Sequence, residues 1–133
     1  MKKLLAFGFL LMAVSFWQSC SSKEQTPEEL ASQTAKSYYD CLLADNYNGF
    51  LAGKADMDSV PADYREQLLA AYQQYKNELD QLHGGVAAIT VSNARLDSSM
   101  QLVQTFLLLH FKDSTKEEFI VPMVQRNGDW KMR

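Results

Sequence analysis

Residues 102–112 read LVQTFLLLHFK, and this stretch decides the fold. In an extended chain, Val103, Thr105, Leu107, Leu109 and Phe111 fall on one face. Leu102, Gln104, Phe106, Leu108 and His110 fall on the other. A strand apolar on both faces is a central strand covered on both sides. The same period of two begins at Gly85 and continues to the end. It predicts strands over Val86–Arg95, Leu102–Lys112, Glu117–Arg126 and Asp129–Arg133. The turns between them are Leu96-Asp97-Ser98-Ser99, Lys112-Asp113-Ser114-Thr115 and Asn127-Gly128, the last a two-residue hairpin signal. Links this short make an antiparallel meander of three to four strands. Helices can cover one face of it. The other needs a second copy, a partner or the chain's own ends, because a bare apolar patch invites aggregation.

Upstream of Gly85 the apolar period is 3.6. A first helix is expected from Pro27 to Ala44, with Thr26 as cap and Glu28 and Glu29 complementing the dipole. Ala31, Ala35, Tyr38 and Leu42 form its inner face. Asn46–Gly53 (NYNGFLAG) is a short helix or turn presenting Tyr47, Phe50 and Leu51. A longer helix spans Pro61–His83. Its expected inner face is Tyr64, Leu68, Tyr72, Tyr75, Leu79 and Leu82, with Lys76 among the polar residues opposite, and Gly84-Gly85 ends it. Helices first and strands after define an α+β domain.

The first twenty residues carry an address. Lys2 and Lys3 precede an uncharged run, residues 4–17, and then Gln18-Ser19-Cys20. The run is shorter than the roughly 17–25 residues of a membrane-spanning helix, so residues 1–19 read as an export signal. The stretch resembles the signal of a bacterial lipoprotein, in which Cys20 would be lipidated and become the first mature residue. Ser19 fits the small residue before it, whereas Trp17 and Gln18 depart from the usual box. Residues 20–26 then form the lipidated Cys and a polar tether, and 27–133 a single domain. That resemblance places the protein in the bacterial cell envelope, on the outer membrane or the periplasmic face. Cys41 is left without a disulfide partner and reads as helix packing.

With 47% apolar and 22% charged residues, the 133-residue chain is globular rather than disordered. Its net charge is −3, and losing Lys2 and Lys3 with the signal takes it to −5. An acidic domain without a basic stripe argues against nucleic acid and against docking on anionic lipid.

The whole order, closing in Asn127-Gly128-Asp129-Trp130-Lys131, resembles small bacterial lipoproteins of uncharacterised function with a nuclear-transport-factor-2-like, cystatin-like fold. LLADNYNGFLAG (residues 42–53) is similar to their loop out of the first helix. The resemblance implies a curved sheet wrapped around helices, a cone with a pocket at its open end, and dimerisation through the sheet's outer face. It carries no catalytic motif.

Chemistry-bearing residues are sparse. No GxGxxG, GxxxxGK[ST] or GxSxG occurs, and His83 and His110 form no ligand cluster with cysteine, so neither a cofactor nor a metal is implied. Asp40 and Asp45 flank the first helix's inner stripe and read as solvated; Asp56 and Asp58 read as caps for the helix at Pro61. Tyr38, Tyr64, Tyr72 and Tyr75 could line a pocket mouth suited to a small apolar, sugar or peptide ligand. The reading is therefore a lipid-anchored, non-catalytic binding or protein-interaction module. The alternative is a cofactor-free isomerase- or dehydratase-like enzyme with His110 or Asp45 as base.

Overall fold

The structure, a computed structural model, describes residues 24–133. The signal segment 1–19, Cys20 and the start of the tether lie outside the described residues. Three helices precede four strands: α1 Pro27–Leu43, α2 Tyr47–Ala52, α3 Ala62–Gln81, then β1 Val86–Asp97, β2 Leu102–Phe111, β3 Lys116–Arg126 and β4 Asp129–Met132. The sheet is a meander in the order β1-β2-β3-β4, every pair antiparallel.

Local chemistry sets the element boundaries. Thr26 Oγ1 accepts from the Glu29 N–H at 3.2 Å and starts α1. Asn46 Oδ1 accepts from the Gly49 N–H at 2.9 Å and starts α2. The hairpin between β3 and β4 turns on Asn127 and Gly128, both at positive φ (54° and 83°), as a two-residue turn of this hand requires. In the other two turns an aspartate closes the chain on itself: Asp97 accepts from the Met100 N–H and Asp113 from the Thr115 N–H. After α2 the chain runs alongside β4. The Ala55 N–H donates to the Met132 carbonyl and the Met132 N–H to the Gly53 carbonyl, each at 2.7 Å. This covers the outer edge of β4. The β3 edge upstream of Pro122 has no strand beside it among the described residues. Pro122 accepts the last rung from the Arg133 N–H at 2.9 Å, and with no N–H of its own it suits the start of a free edge.

Strand β2 is central, as its pattern demands. Val103, Thr105, Leu107, Leu109 and Phe111 are all buried against α1 and join Ala31, Ala35, Leu42, Phe50 and Met123 in one core. Each such aliphatic side chain contributes roughly 1.5–3 kcal/mol. Thr105 is tolerated there because its hydroxyl donates to the Val121 carbonyl at 2.6 Å.

The second face of the sheet is partly covered by the chain's own polar side chains. The Arg95 guanidinium lies 5.9 Å from the centroid of Phe106. At the bulge in β1, Ser92 donates to Glu118 Oε2 at 2.8 Å across the sheet. Phe106 and Leu108 end half-buried, while Ile120 is 54% exposed.

Helix α3 departs from expectation. It packs mainly on α2 and α1 rather than on the sheet. Tyr64, Tyr75 and Leu82, expected inside, are exposed, and Lys76, expected outside, is buried. The ion pairs supply the reason. Lys76 Nζ lies 2.9 Å from Asp80 Oδ2 and 3.2 Å from Asp45 Oδ1, so the methylene stem can lie inward while the charge stays paired at the rim. Tyr72, Lys76 and Leu79 thus form the inner face. The helix also ends two residues early. A single 3-10 turn, Leu82–Gly84, follows it, and His83 Nδ1 meets Asp113 Oδ2 at 2.7 Å.

Candidate functional site

The open side of the helix–sheet layer lies where α1, α2 and α3 face the free edge of β3. The layers diverge there into a cleft of about 290 Å³, lined by Tyr39, Phe50, Lys54, Tyr72, Ile120, Val121, Pro122, Met132 and Arg133. Phe50 is its aromatic centre. Tyr39 packs edge-on to it at 5.0 Å and Tyr72 at 4.8 Å, and Phe119 backs Tyr39 at 4.9 Å. Asn46 caps α2 and thereby fixes where Phe50 points.

The hydroxyls matter most. Neither the Tyr39 nor the Tyr72 hydroxyl bonds to any described residue, whereas Tyr38, Tyr47 and Thr105 all donate to protein partners. Yet among the described residues no buried side-chain polar atom is left without a partner. Neither hydroxyl is therefore fully sealed, and both residues line the cleft. Burial pushes the Tyr39 phenol well above its ordinary range, helped by Tyr75 and Tyr72, and burial also raises Tyr72. Both remain protonated donors at neutral pH.

The four tyrosines singled out from the sequence separate. Tyr72 lines the cleft. Tyr75 is not among the lining residues; it is 40% exposed, close enough to Tyr39 to raise that phenol, and is itself raised by burial, Glu117 and Glu78. Tyr64 lies out on α3, 46% exposed. Tyr38 is structural: its hydroxyl donates to the Trp130 carbonyl at 2.9 Å, and its ring lies across Gly53. Tyr39, the residue that does line the cleft, is one position outside the predicted stripe. A stripe extended from Ala35 by four residues includes it.

The candidate bases lie elsewhere. His110 is on the outer sheet face, hydrogen-bonded to Thr90 Oγ1 at 2.8 Å. Asp45 is exposed beyond the end of α1, its carboxyl held below the usual range by hydrogen bonds from Lys76 and Tyr47. Asp56 and Asp58 do not cap α3, whose N-terminal Pro61 makes no side-chain cap. Asp56 instead pairs with Arg126 through two contacts, 2.8 and 3.2 Å. That pair sits in a second, polar cleft of about 360 Å³ between the α2–α3 connection and the β3–β4 hairpin. Of its charged side chains Asp56 and Arg126 pair with one another, and Lys131 Nζ donates to the Ala52 carbonyl at 2.8 Å. Among the described residues no three His, Cys, Asp or Glu side chains stand together as metal ligands, and no helix is long and apolar enough to cross a membrane.

Comparison with known proteins bears on the architecture. A crystal structure from Campylobacter jejuni, described as a "Putative NTF2-like transpeptidase", superposes with a TM-score of 0.55 at 12% identity, covering 75% of this chain and 94% of that one. The fold is nuclear-transport-factor-2-like. At that identity the likeness extends to the fold alone. No family model matches the chain, and no curated protein does either.

Proposed function

We propose that this protein is a lipid-anchored module of the bacterial cell envelope that holds a small ligand non-covalently in the aromatic cleft. One observation carries the binding half: an aromatic centre, Phe50, and two tyrosines whose hydroxyls make no hydrogen bond to a described residue line one concavity. The sequence supports the anchor, through Lys2, Lys3, the apolar run and Cys20. The sheet's outer face, with Ile120 exposed beside Phe106 and Leu108, is the surface on which a second copy would sit.

Catalytic readings have less to stand on. Transfer of a peptidyl group, the activity in the structural neighbour's description, needs a nucleophile with a base beside it. Cys41 instead packs in α1 near Gly49, His83 is engaged by Asp113, and His110 by Thr90. Proton-transfer chemistry would need an acid or base inside the cleft, and Asp45 and His110 are both outside it.

The binding half is testable with a neutral probe. Nile red should bind the wild-type protein at one saturable site with enhanced emission. Tyr72→Ala, which removes one aromatic wall of the cleft, should weaken binding at that site about tenfold while circular dichroism shows the fold retained. Emission unaffected by the substitution would place the apolar site elsewhere.

A further inference from the structure

The charges around the aromatic cleft are one-sided, and this narrows what it can hold. Lys54 and Arg133 both line it, and no aspartate or glutamate does. Neither cation joins an ion pair among the described residues, whereas Lys36, Lys76 and Arg126 are each paired with a carboxylate. The side chains lining the cleft are thus net positive on a protein of net charge −3, although Lys54 also borders the polar cleft with Asp56, Asp58 and Asp129. Glu117 acts on Tyr75, and neither is part of the wall. The backbone on either side of Lys54 is fixed: the N–H of Ala55 and the carbonyl of Gly53 are bonded to Met132.

We infer that the ligand is a small organic anion, an aromatic or branched apolar body bearing one carboxylate. The body would lie against Phe50, and the carboxylate would meet Lys54 and Arg133 and accept from the Tyr39 and Tyr72 hydroxyls. Two considerations favour this over a neutral sugar or lipid tail. A concavity offering two hydroxyl donors and two cations, with no carboxylate acceptor, is complementary to an acceptor-only, negatively charged group. A long acyl chain would also exceed about 290 Å³, which lies at the small end of ligand pockets. The inference rests on the cleft being the binding site.

The test uses 3-phenylpropionate and its neutral isostere 3-phenylpropionamide, titrated into the purified protein at pH 7 and followed by the amide signals of Phe50, Tyr72 and Val121. The carboxylate should bind about tenfold more tightly than the amide, since hydrogen bonds to a charged group are the stronger. Lys54→Gln, and independently Arg133→Gln, should each lower the carboxylate's affinity severalfold more than the amide's and so remove much of that preference. Equal binding of the two probes, or a preference that survives both substitutions, would overturn the anion assignment while leaving the cleft a binding site. Failure of both probes to shift those signals would overturn both.

Discussion

Replacing Gly53 by alanine is expected to destabilise the fold by about 3 kcal/mol, lowering the melting temperature by roughly 15 °C in a thermal melt followed by circular dichroism. Gly53 has an ordinary φ of −81°, so backbone freedom is not the reason for glycine here. Space is. A Cβ at this position would fall 2.4 Å from Cγ of Tyr38 and 2.5 Å from both neighbouring ring carbons. The base of an aromatic ring cannot step aside as a flexible chain end can, so the whole ring must leave. Its departure breaks the Tyr38–Trp130 hydrogen bond and disturbs the junction where the chain after α2 pairs with β4. Tyr38→Phe keeps the ring and loses only the hydroxyl, so it should cost about 1 kcal/mol. A Gly53→Ala protein as stable as wild type would show that this junction does not hold the sheet to the helices.

Cys20→Ser is expected to move the protein from the membrane pellet to the soluble fraction, reducing its membrane-bound share by about a hundredfold or more. Each buried methylene of an acyl chain contributes ~0.8 kcal/mol, so two or three chains anchor firmly while a serine anchors not at all. The described domain offers no substitute, since no helix among its residues could span a bilayer and the chain is acidic. Fractionation of cells producing each form, with an immunoblot of both fractions, reads the result directly. Retention of the serine variant in the membrane would mean that something other than lipid on Cys20 holds it there.

The sheet was legible because its signal is local. Alternation in LVQTFLLLHF identifies a central strand from one stretch of chain, and Asn127-Gly128 fixes the closing hairpin by its own backbone preference. Helix α3 was legible in extent but not in orientation. Tyrosine, leucine and lysine along it all have apolar stems, and periodicity cannot say which stem turns inward. Two carboxylates decided it: Asp80 one turn along α3, and Asp45 thirty-one residues away in sequence. The cleft was legible as a kind of surface rather than as a set of residues. Four tyrosines suggested an aromatic mouth, but Tyr38 was claimed by Trp130 across ninety-two residues of chain, and its neighbour Tyr39 took the position at the mouth. Lys54 and Arg133 carry no motif, and only the closure of the chain against β4 brings them together.

The central claim is that the aromatic cleft holds a small molecule non-covalently. Native mass spectrometry of the protein purified from its own membranes and released gently from detergent tests it most directly. The wild-type protein should retain a small adduct that leaves intact on collisional activation, and Tyr72→Ala, which removes one wall of the cleft, should retain far less of it when prepared in the same way. Bare wild-type protein, or an adduct that Tyr72→Ala retains equally, would contradict the claim.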